Sequence, residues 1–169
     1  MSKVSQRQVV AYITPKTTTT LGTGANPVPP PSFAATPGNG LSQFYFAQVS
    51  GGEITASVEK IYEGGAKRPT VLCAPAEVGD ITLTAHYDDD TANTGVASAI
   101  RTLRQFVGIG FYDITIQTFN CGLTSTSNDR VYSNALLVGL TEPDGDSSSG
   151  APTTFALTFS VSDVNVPAS

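Results

Sequence analysis

The side chains of this sequence that are able to do chemistry are few. His86 is its single histidine, Cys73 and Cys121 are its two cysteines, and Asp88–Asp90 form its densest acidic run. Hydrolysis by an activated serine or threonine needs a base, and His86 is the one imidazole that could provide it. Period-two alternation instead predicts His86 on the polar face of a strand, as an exposed or interface residue. These residues therefore predict no nucleophilic active site.

The acidic runs do not have the spacing of a calcium-binding loop. Such a loop needs oxygen ligands at alternate positions, glycine at the sixth and glutamate at the twelfth. Counted from Asp88, the sixth residue is Asn93; counted from Asp144, the sixth is Ser149 and the twelfth is Phe155. One histidine and two distant cysteines also make too few ligands for zinc without several carboxylates. We therefore expect no metal site.

Other enzyme signatures are missing from the sequence as well. It contains no G-x-x-x-x-G-K-[ST], no G-x-G-x-x-G after a strand and no G-x-S-x-G. Glu53 and Glu59 could form the carboxylate pair of a glycosidase, but nothing in their spacing singles them out, and tryptophan is absent. The sequence therefore predicts a protein that is not an enzyme, without catalytic, cofactor-binding or metal-ligating residues.

The charge of the chain disfavours tight binding to nucleic acid. Its 169 residues carry 14 Asp and Glu against 9 Lys and Arg, a formal net charge of −5. The basic residues do not cluster beyond the short pairs Lys67–Arg68 and Arg101/Arg104, whereas neutralising phosphates needs a basic face. An acidic surface would instead repel DNA.

Length and apolar pattern predict one domain, residues 1–169, in a protein made in the cytoplasm. No apolar run reaches the length of a membrane span, and the apolar stretch at 9–13 is too short for the core of a signal peptide. In a reducing compartment we expect Cys73 and Cys121 to be buried thiols, with a disulfide or a reactive site as the alternative.

Alternation of apolar and polar residues predicts many strands. Single-face alternation is typical of antiparallel sheets with one covered face. An extended segment is predicted at 1–13, and strands are predicted at 44–49, 53–62, 68–75, 79–87 and 111–119 and in the two apolar runs that flank the loop 142–152. Turns are predicted at Gly51-Gly52 and Gly64-Gly65. The expected fold is mainly β, a sandwich or barrel of two packed antiparallel sheets.

One segment has the period of a helix instead. In NTGVASAIRTLRQFVG the apolar residues Val96, Ile100, Leu103 and Val107 form one stripe, with Asn93 or Thr94 as N-cap and Gly108 as the stop. A single amphipathic helix must pack its apolar stripe against another element, most simply a sheet face or the rim of a barrel. We therefore expect one helix at the flank of the sheets.

Residues 14–40 differ from the rest of the chain. Threonine, glycine and proline dominate this tract, and Pro29–Pro31 favour polyproline II. Alone, the tract cannot bury enough apolar surface to offset its ordering entropy, so it is either a flexible linker or an arm held by a neighbouring subunit.

Three segments resemble the major tail tube proteins of long, non-contractile-tailed bacteriophages. They are GGEITASVEKIYEGGAKRPTVLCAPAEVGDITLTAHYD, IRTLRQFVG and RVYSNALLVGLTEPDGDSSSGAPTTFALTFSV, which together span most of residues 50–161. The resemblance lies in the order and phrasing of segments, and it is nearest to the proteins of phages that infect actinobacteria. Residues 1–49 resemble those proteins least.

The resemblance implies a structural virion protein of the tail-tube fold. Six copies would form a ring, and stacked rings would form the hollow tube through which genomic DNA passes into the host without tight binding. It also implies a tape-measure protein and tail terminator or tip proteins as partners, and a place in the phage tail. Two polar sets are candidate lumen walls: Glu53/Thr55/Ser57/Glu59 and Asp80/Thr82/Thr84.

The loop EPDGDSSSGAP (142–152) and the tract 14–40 are the candidate contacts between rings. Both are rich in small residues, and Pro143 and Pro152 restrict the loop. A plain surface turn is the alternative for the loop.

Two other functions remain open from the sequence. A tail-associated or decoration domain could bind host-surface carbohydrate, although the 14 Phe and Tyr mostly fit apolar faces. A small hydrolase would have to depend on His86.

Overall fold

A computed structural model describes residues 9–16, 31, 46, 48–65, 67–87, 96–118, 129–142 and 153–165. Residues 163–165 are described by their backbone only. Its strands, in chain order, are β1 (Val9–Pro15), β2 (Gln48–Gly51), β3 (Ile54–Ala56), β4 (Glu59–Ile61), β5 (Thr70–Leu72), β6 (Ala76–Val78), β7 (Ile81–His86), β8 (Phe111–Thr118), β9 (Arg130–Thr141), β10 (Thr154–Ser160) and β11 (Asp163–Asn165). The helix α1 (Val96–Leu103) lies between β7 and β8 and continues into a 3₁₀ turn, Arg104–Phe106.

Seven of the strands form one antiparallel sheet. Its order is β1-β8-β9-β10-β7-β2, with β11 added beside β9. The sheet curls into a half-barrel, so far that its two edges meet at one point, where the Phe46 amide donates to the Ala11 carbonyl oxygen at 2.9 Å. The predicted mainly β, antiparallel fold is confirmed, and the layers expected from the sequence are realised by one sheet that curls over its own core.

The core lies inside this curl and follows the predicted alternation. Three strands bury every second residue: Ile81, Leu83 and Ala85 on β7; Tyr112, Ile114 and Ile116 on β8; Phe155, Leu157 and Phe159 on β10. Edge-to-face aromatic pairs join distant strands, Phe46 with Phe155 at 6.0 Å and Tyr112 with Phe159 at 5.8 Å between ring centroids. Such pairs add about 1 kcal/mol beyond area burial.

Helix α1 covers the concave side of the sheet. Val96, Ile100 and Leu103 are buried in the same core, which confirms the predicted flanking helix and three of its four stripe positions. The fourth is wrong: Val107 is 37% exposed, because the chain tightens into the 3₁₀ turn after Leu103 and the period of 3.6 residues is lost. Gly108 has a left-handed φ of 85° beyond that turn, and the predicted caps Asn93 and Thr94 lie outside the described residues.

The predicted strand 53–62 does not lie in the main sheet. Its two parts pair within a two-stranded ribbon, β3 with β6 and β4 with β5. We refer to residues 53–65 and 67–79 as the ribbon. Ile54, Ala56 and Val58 are all exposed, so the expectation of a face covered within this subunit is wrong here. The predicted turn at Gly64-Gly65 is confirmed.

Candidate assembly interface

The ribbon is the continuation of two sheet strands beyond the edge of the core. The β2–β7 register runs on from Gly51↔Ile81 to Ile54↔Val78, and the Gly79 amide donates to the Glu53 carbonyl oxygen at 2.8 Å. The register shifts by one residue between Ala56↔Ala76 and Glu59↔Leu72. Since a strand rises about 3.3 Å per residue, the ten residues from Glu53 to Tyr62 can reach roughly 30 Å.

Two glycines let the chain leave the sheet for the ribbon. Gly51 and Gly52 have φ values of 85° and 72°, in the left-handed region that side chains with a Cβ rarely adopt. A Cβ on Gly51 would lie 1.9 Å from the carbonyl oxygen of Asp80, a backbone atom that cannot rotate away. The Tyr132 hydroxyl donates to the Gly52 carbonyl oxygen at 3.2 Å, so a core side chain holds this corner in place.

We predict that Gly51→Ala destabilises the protein far more than Gly65→Ala. Gly65 also has a left-handed φ, 90°, but a Cβ there meets nothing within 4 Å. Gly65→Ala should therefore lower the free energy of unfolding by about 1 kcal/mol, which is the cost of holding alanine at a left-handed φ. Gly51→Ala adds a backbone clash and should lose roughly 2–4 kcal/mol in total. Urea unfolding of both variants checks this, and equal losses would contradict the steric account of the corner.

The ribbon exposes large apolar side chains along its whole length. They are Ile54, Val58, Ile61, Tyr62, Val71 and Leu72, and Tyr62 is 73% exposed. Six such side chains leave several hundred Å² of apolar surface, the scale at which exposed patches mark interaction sites. A two-stranded ribbon is also marginal in water without a surface to pack on. Both properties indicate a contact surface.

The convex face of the sheet differs where β2, β7 and β10 form it: there it is polar without Asp, Glu, Lys or Arg. Pairing places Ser50, Thr82 and Thr158 in one row across three strands, and Gln48, Thr84 and Ala156 in the next. These residues alternate with residues that are buried in the core or, for Val49 on β2, partly buried against it, so they face away from the core. On β2, β7 and β10 this open face carries no Asp, Glu, Lys or Arg, and we call it the hydroxyl face.

The two predicted lumen sets separate in the structure. Thr82 and Thr84 lie on the hydroxyl face, with Asp80 exposed just before β7. The other set, Glu53/Thr55/Ser57/Glu59, is exposed on the ribbon, away from the sheet. The structure thus does not bring the two sets onto one surface.

The residues singled out for chemistry are not brought together either. His86 is exposed at the end of β7, on the polar face as predicted. Glu53 and Glu59 lie on the ribbon, and within the part of the chain that the structure describes no three His, Cys, Asp or Glu residues form a potential metal site. Asp88–Asp90 and the acidic loop after Glu142 lie outside the described residues.

The expectation of a buried thiol is wrong for Cys73. This residue follows β5 on the ribbon and is exposed, with a free thiol. It is exposed for the same reason as its apolar neighbours, since no part of the described subunit covers this stretch of the ribbon. Cys121 lies outside the described residues.

Within the described ranges, pKa values are clearly shifted at one surface pair and at one core residue. The Arg104 guanidinium donates to the Glu142 carboxylate and lowers the pKa of that carboxyl group, while the pKa of Arg104 is raised. Both side chains are exposed, so the pair adds little stability. Burial raises the pKa of Tyr112, which keeps its phenol protonated and unsuited to act as a nucleophile.

Comparison with solved structures identifies the kind of fold. No protein-family model and no curated protein matches the sequence. The chain is similar to a chain of the anti-feeding prophage (AFP) baseplate, six-fold symmetrised, with a TM-score of 0.66 and 17% identity over 98% of this chain and 95% of that one. It is similar to a chain of the sheath–tube complex of PVC, an extracellular contractile injection system, with a TM-score of 0.65 and 18% identity over 99% and 93%.

A third match extends the comparison to an Hcp protein. Its crystal structure gives a TM-score of 0.51 at 10% identity, over 90% of this chain and 87% of that one. The chain has a tail-tube-type fold. The resemblance read from the sequence is confirmed at this level, while its long-tailed, non-contractile and actinobacterial parts stay predictions. Among the described residues, no helix is long and apolar enough to cross a membrane.

Proposed function

We propose that this protein is a tail-tube subunit that assembles with identical copies into a hollow tube. The observation that carries the proposal is the ribbon, which exposes six large apolar side chains on a subunit of tail-tube-type fold. Burying such surface is favourable by about 25 cal/mol per Å², so a solitary subunit would leave a strong driving force unused. Identical copies are the partners that a tube requires.

The proposed unit is a ring of six copies that stacks along one axis. The ring is supported by the resemblance in sequence and by the six-fold symmetry of the AFP baseplate, one of whose chains shares this fold. A head-to-tail contact closes when its rotations return to the first copy, and it also hides the edge strands of the open sheet. The whole chain, 1–169, acts as one domain in this arrangement.

The hydroxyl face is the surface we assign to the wall of the tube. Short Thr, Ser and Gln side chains in register make a smooth surface, and a polyanion finds no Lys or Arg on it. Each phosphate contact made by a basic residue strengthens DNA binding and would slow its passage. An uncharged wall therefore suits a channel through which genomic DNA slides.

The location of the tube and its partners are proposed from the resemblance in sequence. The tube belongs to a phage tail, with a tape-measure protein inside it during assembly and terminator or tip proteins at its ends. The structures of a PVC sheath–tube terminator and an AFP tube-terminating cap contain chains of this fold, which supports end-capping partners. The protein works as a structural component without catalysis.

Native mass spectrometry over a series of protein concentrations tests the proposal. We expect species at six times the monomer mass, followed by multiples of that ring as concentration rises. A protein that remains monomeric at every concentration, and also within purified particles, would overturn the proposal.

A further inference from the structure

One buried side chain ties the start of the ribbon to a distant strand of the sheet. Tyr132 on β9 is 2% exposed and belongs to the core, and its hydroxyl donates to the Gly52 carbonyl oxygen at 3.2 Å. Strands β10 and β7 lie between β9 and β2 in the sheet, so the Tyr132 side chain spans the inside of the curl to reach this corner. A Cβ on Gly52 would lie 2.9 Å from the hydroxyl oxygen, which leaves no room for a side chain there.

Two other hydrogen bonds at the corner join the paired strands that continue into the ribbon. The Gly52 amide donates to the Asp80 carbonyl oxygen at 3.2 Å, and the Gly79 amide donates to the Glu53 carbonyl oxygen at 2.8 Å. Such bonds move with the ribbon if both of its strands swing together, so they do not fix its direction. The bond from Tyr132 fixes that direction, because it comes from another strand of the sheet.

A β-bulge in β9 turns Tyr132 into the core. In the pairing of β8 with β9, Ser133 and Asn134 lie opposite the single residue Asp113. Tyr132 and Ala135 are both buried although they are three residues apart, an odd spacing that would place them on opposite faces of a regular strand. The extra residue of the bulge reverses the alternation and returns Tyr132 to the core side.

The bulge has an unusual backbone conformation that its neighbours stabilise. Asn134 is the one residue other than glycine with a left-handed φ, 55°, in the described part of the chain. Such conformations persist where the surrounding structure holds them, and they cluster at functional sites. Here the Asn134 amide donates to Asp113 Oδ1 at 3.1 Å, and Lys16 Nζ lies 3.5 Å from the same oxygen. The direction of Tyr132 is therefore supported from β8 and from the residue after β1.

We propose that Tyr132 is a positioning residue: its hydroxyl, directed by the bulge at Asn134, sets the direction in which the ribbon leaves the subunit. A segment of roughly 30 Å that turns by about 10° at its base moves its tip by roughly 5 Å. A surface that is already in place before binding loses less conformational entropy on association. The effect on assembly rests on the proposed tube, whereas the effect on the ribbon is a property of the single subunit.

Distance measurements on the single subunit test this role. Nitroxide labels are attached to the exposed Cys73 of the ribbon and to Thr154→Cys at the exposed start of β10, in a Cys121→Ser background and below the assembly concentration. Pulsed electron–electron double resonance then gives the distribution of ribbon-to-body distances. We expect Tyr132→Phe to widen this distribution at least about twofold, because the ring still fills the core while the hydrogen bond is lost.

Tyr112→Phe is the matched control. Tyr112 is also fully buried, on the neighbouring strand β8, but its hydroxyl has no hydrogen-bond partner among the described residues. Tyr112→Phe therefore removes the same atom from the same core without releasing the corner. It should leave the distance distribution unchanged.

Two variants of Asn134 test the bulge separately from the hydroxyl. Asn134 is exposed, so neither variant loses core packing. Glycine adopts a left-handed φ without steric cost, whereas a β-branched residue does not. Asn134→Gly should match the parent, and Asn134→Val should widen the distribution as Tyr132→Phe does.

The assembly concentration gives the second readout. Tyr132→Phe should raise the protein concentration needed for assembly by about tenfold, and Tyr112→Phe by less than about twofold. Sedimentation velocity over a concentration series measures both. A merely structural role for Tyr132 would move neither the distance distribution nor this ratio.

The outcomes separate the positioning role from the tube. Equal distance distributions in Tyr132→Phe, Tyr112→Phe and the parent would overturn the positioning role, whether or not the protein forms tubes. A wider distribution in a protein that never associates would support the positioning role and overturn the tube. A wider distribution with assembly at the parent's concentration would support the control of the ribbon and contradict its effect on assembly.

Discussion

Replacing Ile54 and Tyr62 together by glutamate should raise the protein concentration needed for assembly by at least roughly 100-fold, a change of about 2.7 kcal/mol. Both side chains are mostly exposed in the subunit, by 62% and 73%, so the variant loses little packing of the folded monomer. In the assembled contact the same positions are enclosed, and burying a carboxylate without a partner costs several kcal/mol. Sedimentation velocity over a concentration series measures the effect.

The matched control for this variant changes charge on the same ribbon. Thr55 and Ser57 are exposed beside the apolar positions, and Thr55→Glu with Ser57→Glu adds the same two charges at polar sites. This control should shift the assembly concentration by less than about tenfold. If both double variants assembled like the parent, the ribbon would not be a contact surface.

The largest expected effect on the subunit itself comes from Phe159→Ala. Phe159 is fully buried, pairs with Ile81 and Leu137 on neighbouring strands and stacks edge-to-face on Tyr112. Its truncation should lower the free energy of unfolding by about 3–5 kcal/mol, a large part of the 5–15 kcal/mol typical of a domain. Urea unfolding followed by circular dichroism measures this at concentrations below assembly.

Phe111→Ala provides the comparison, because it removes the same side chain from an exposed site. Phe111 is 39% exposed at the start of β8, and its loss should lower the free energy of unfolding by about 1 kcal/mol or less. Equal losses for Phe111→Ala and Phe159→Ala would contradict the placement of the core inside the curled sheet.

Alternation predicted the strands whose covered face lies within the subunit. Along 81–85, 112–116 and 155–161 every second residue is apolar, and these residues are buried. A period of two is a local property of the extended backbone and survives in any fold that covers one face of a sheet. The order of strands could not be predicted, because the pairing of β1 with β8 joins segments about a hundred residues apart.

The same alternation led to a wrong prediction for the ribbon. Ile54, Ala56 and Val58 alternate like a buried strand, yet they are exposed in the subunit. Alternation indicates that one face of a strand is covered, but it does not indicate whether the same chain or another copy covers that face. The two Gly-Gly pairs, at 51–52 and 64–65, were the signal that this segment leaves the sheet and returns.

Contacts assigned from the sequence to the loop 142–152 and the tract 14–40 stay predictions. Most of both segments lies outside the described residues. The ribbon supplies a contact surface that the sequence did not indicate, and the three candidates are compatible with one stack.

Cryo-electron microscopy of the concentrated protein is the sharpest test of whether identical copies form a tube. We expect hollow filaments of stacked rings in which Thr82 and Thr84 line the channel and the ribbon is buried between copies. Dispersed single subunits under all assembly conditions, or filaments without a channel, would contradict it.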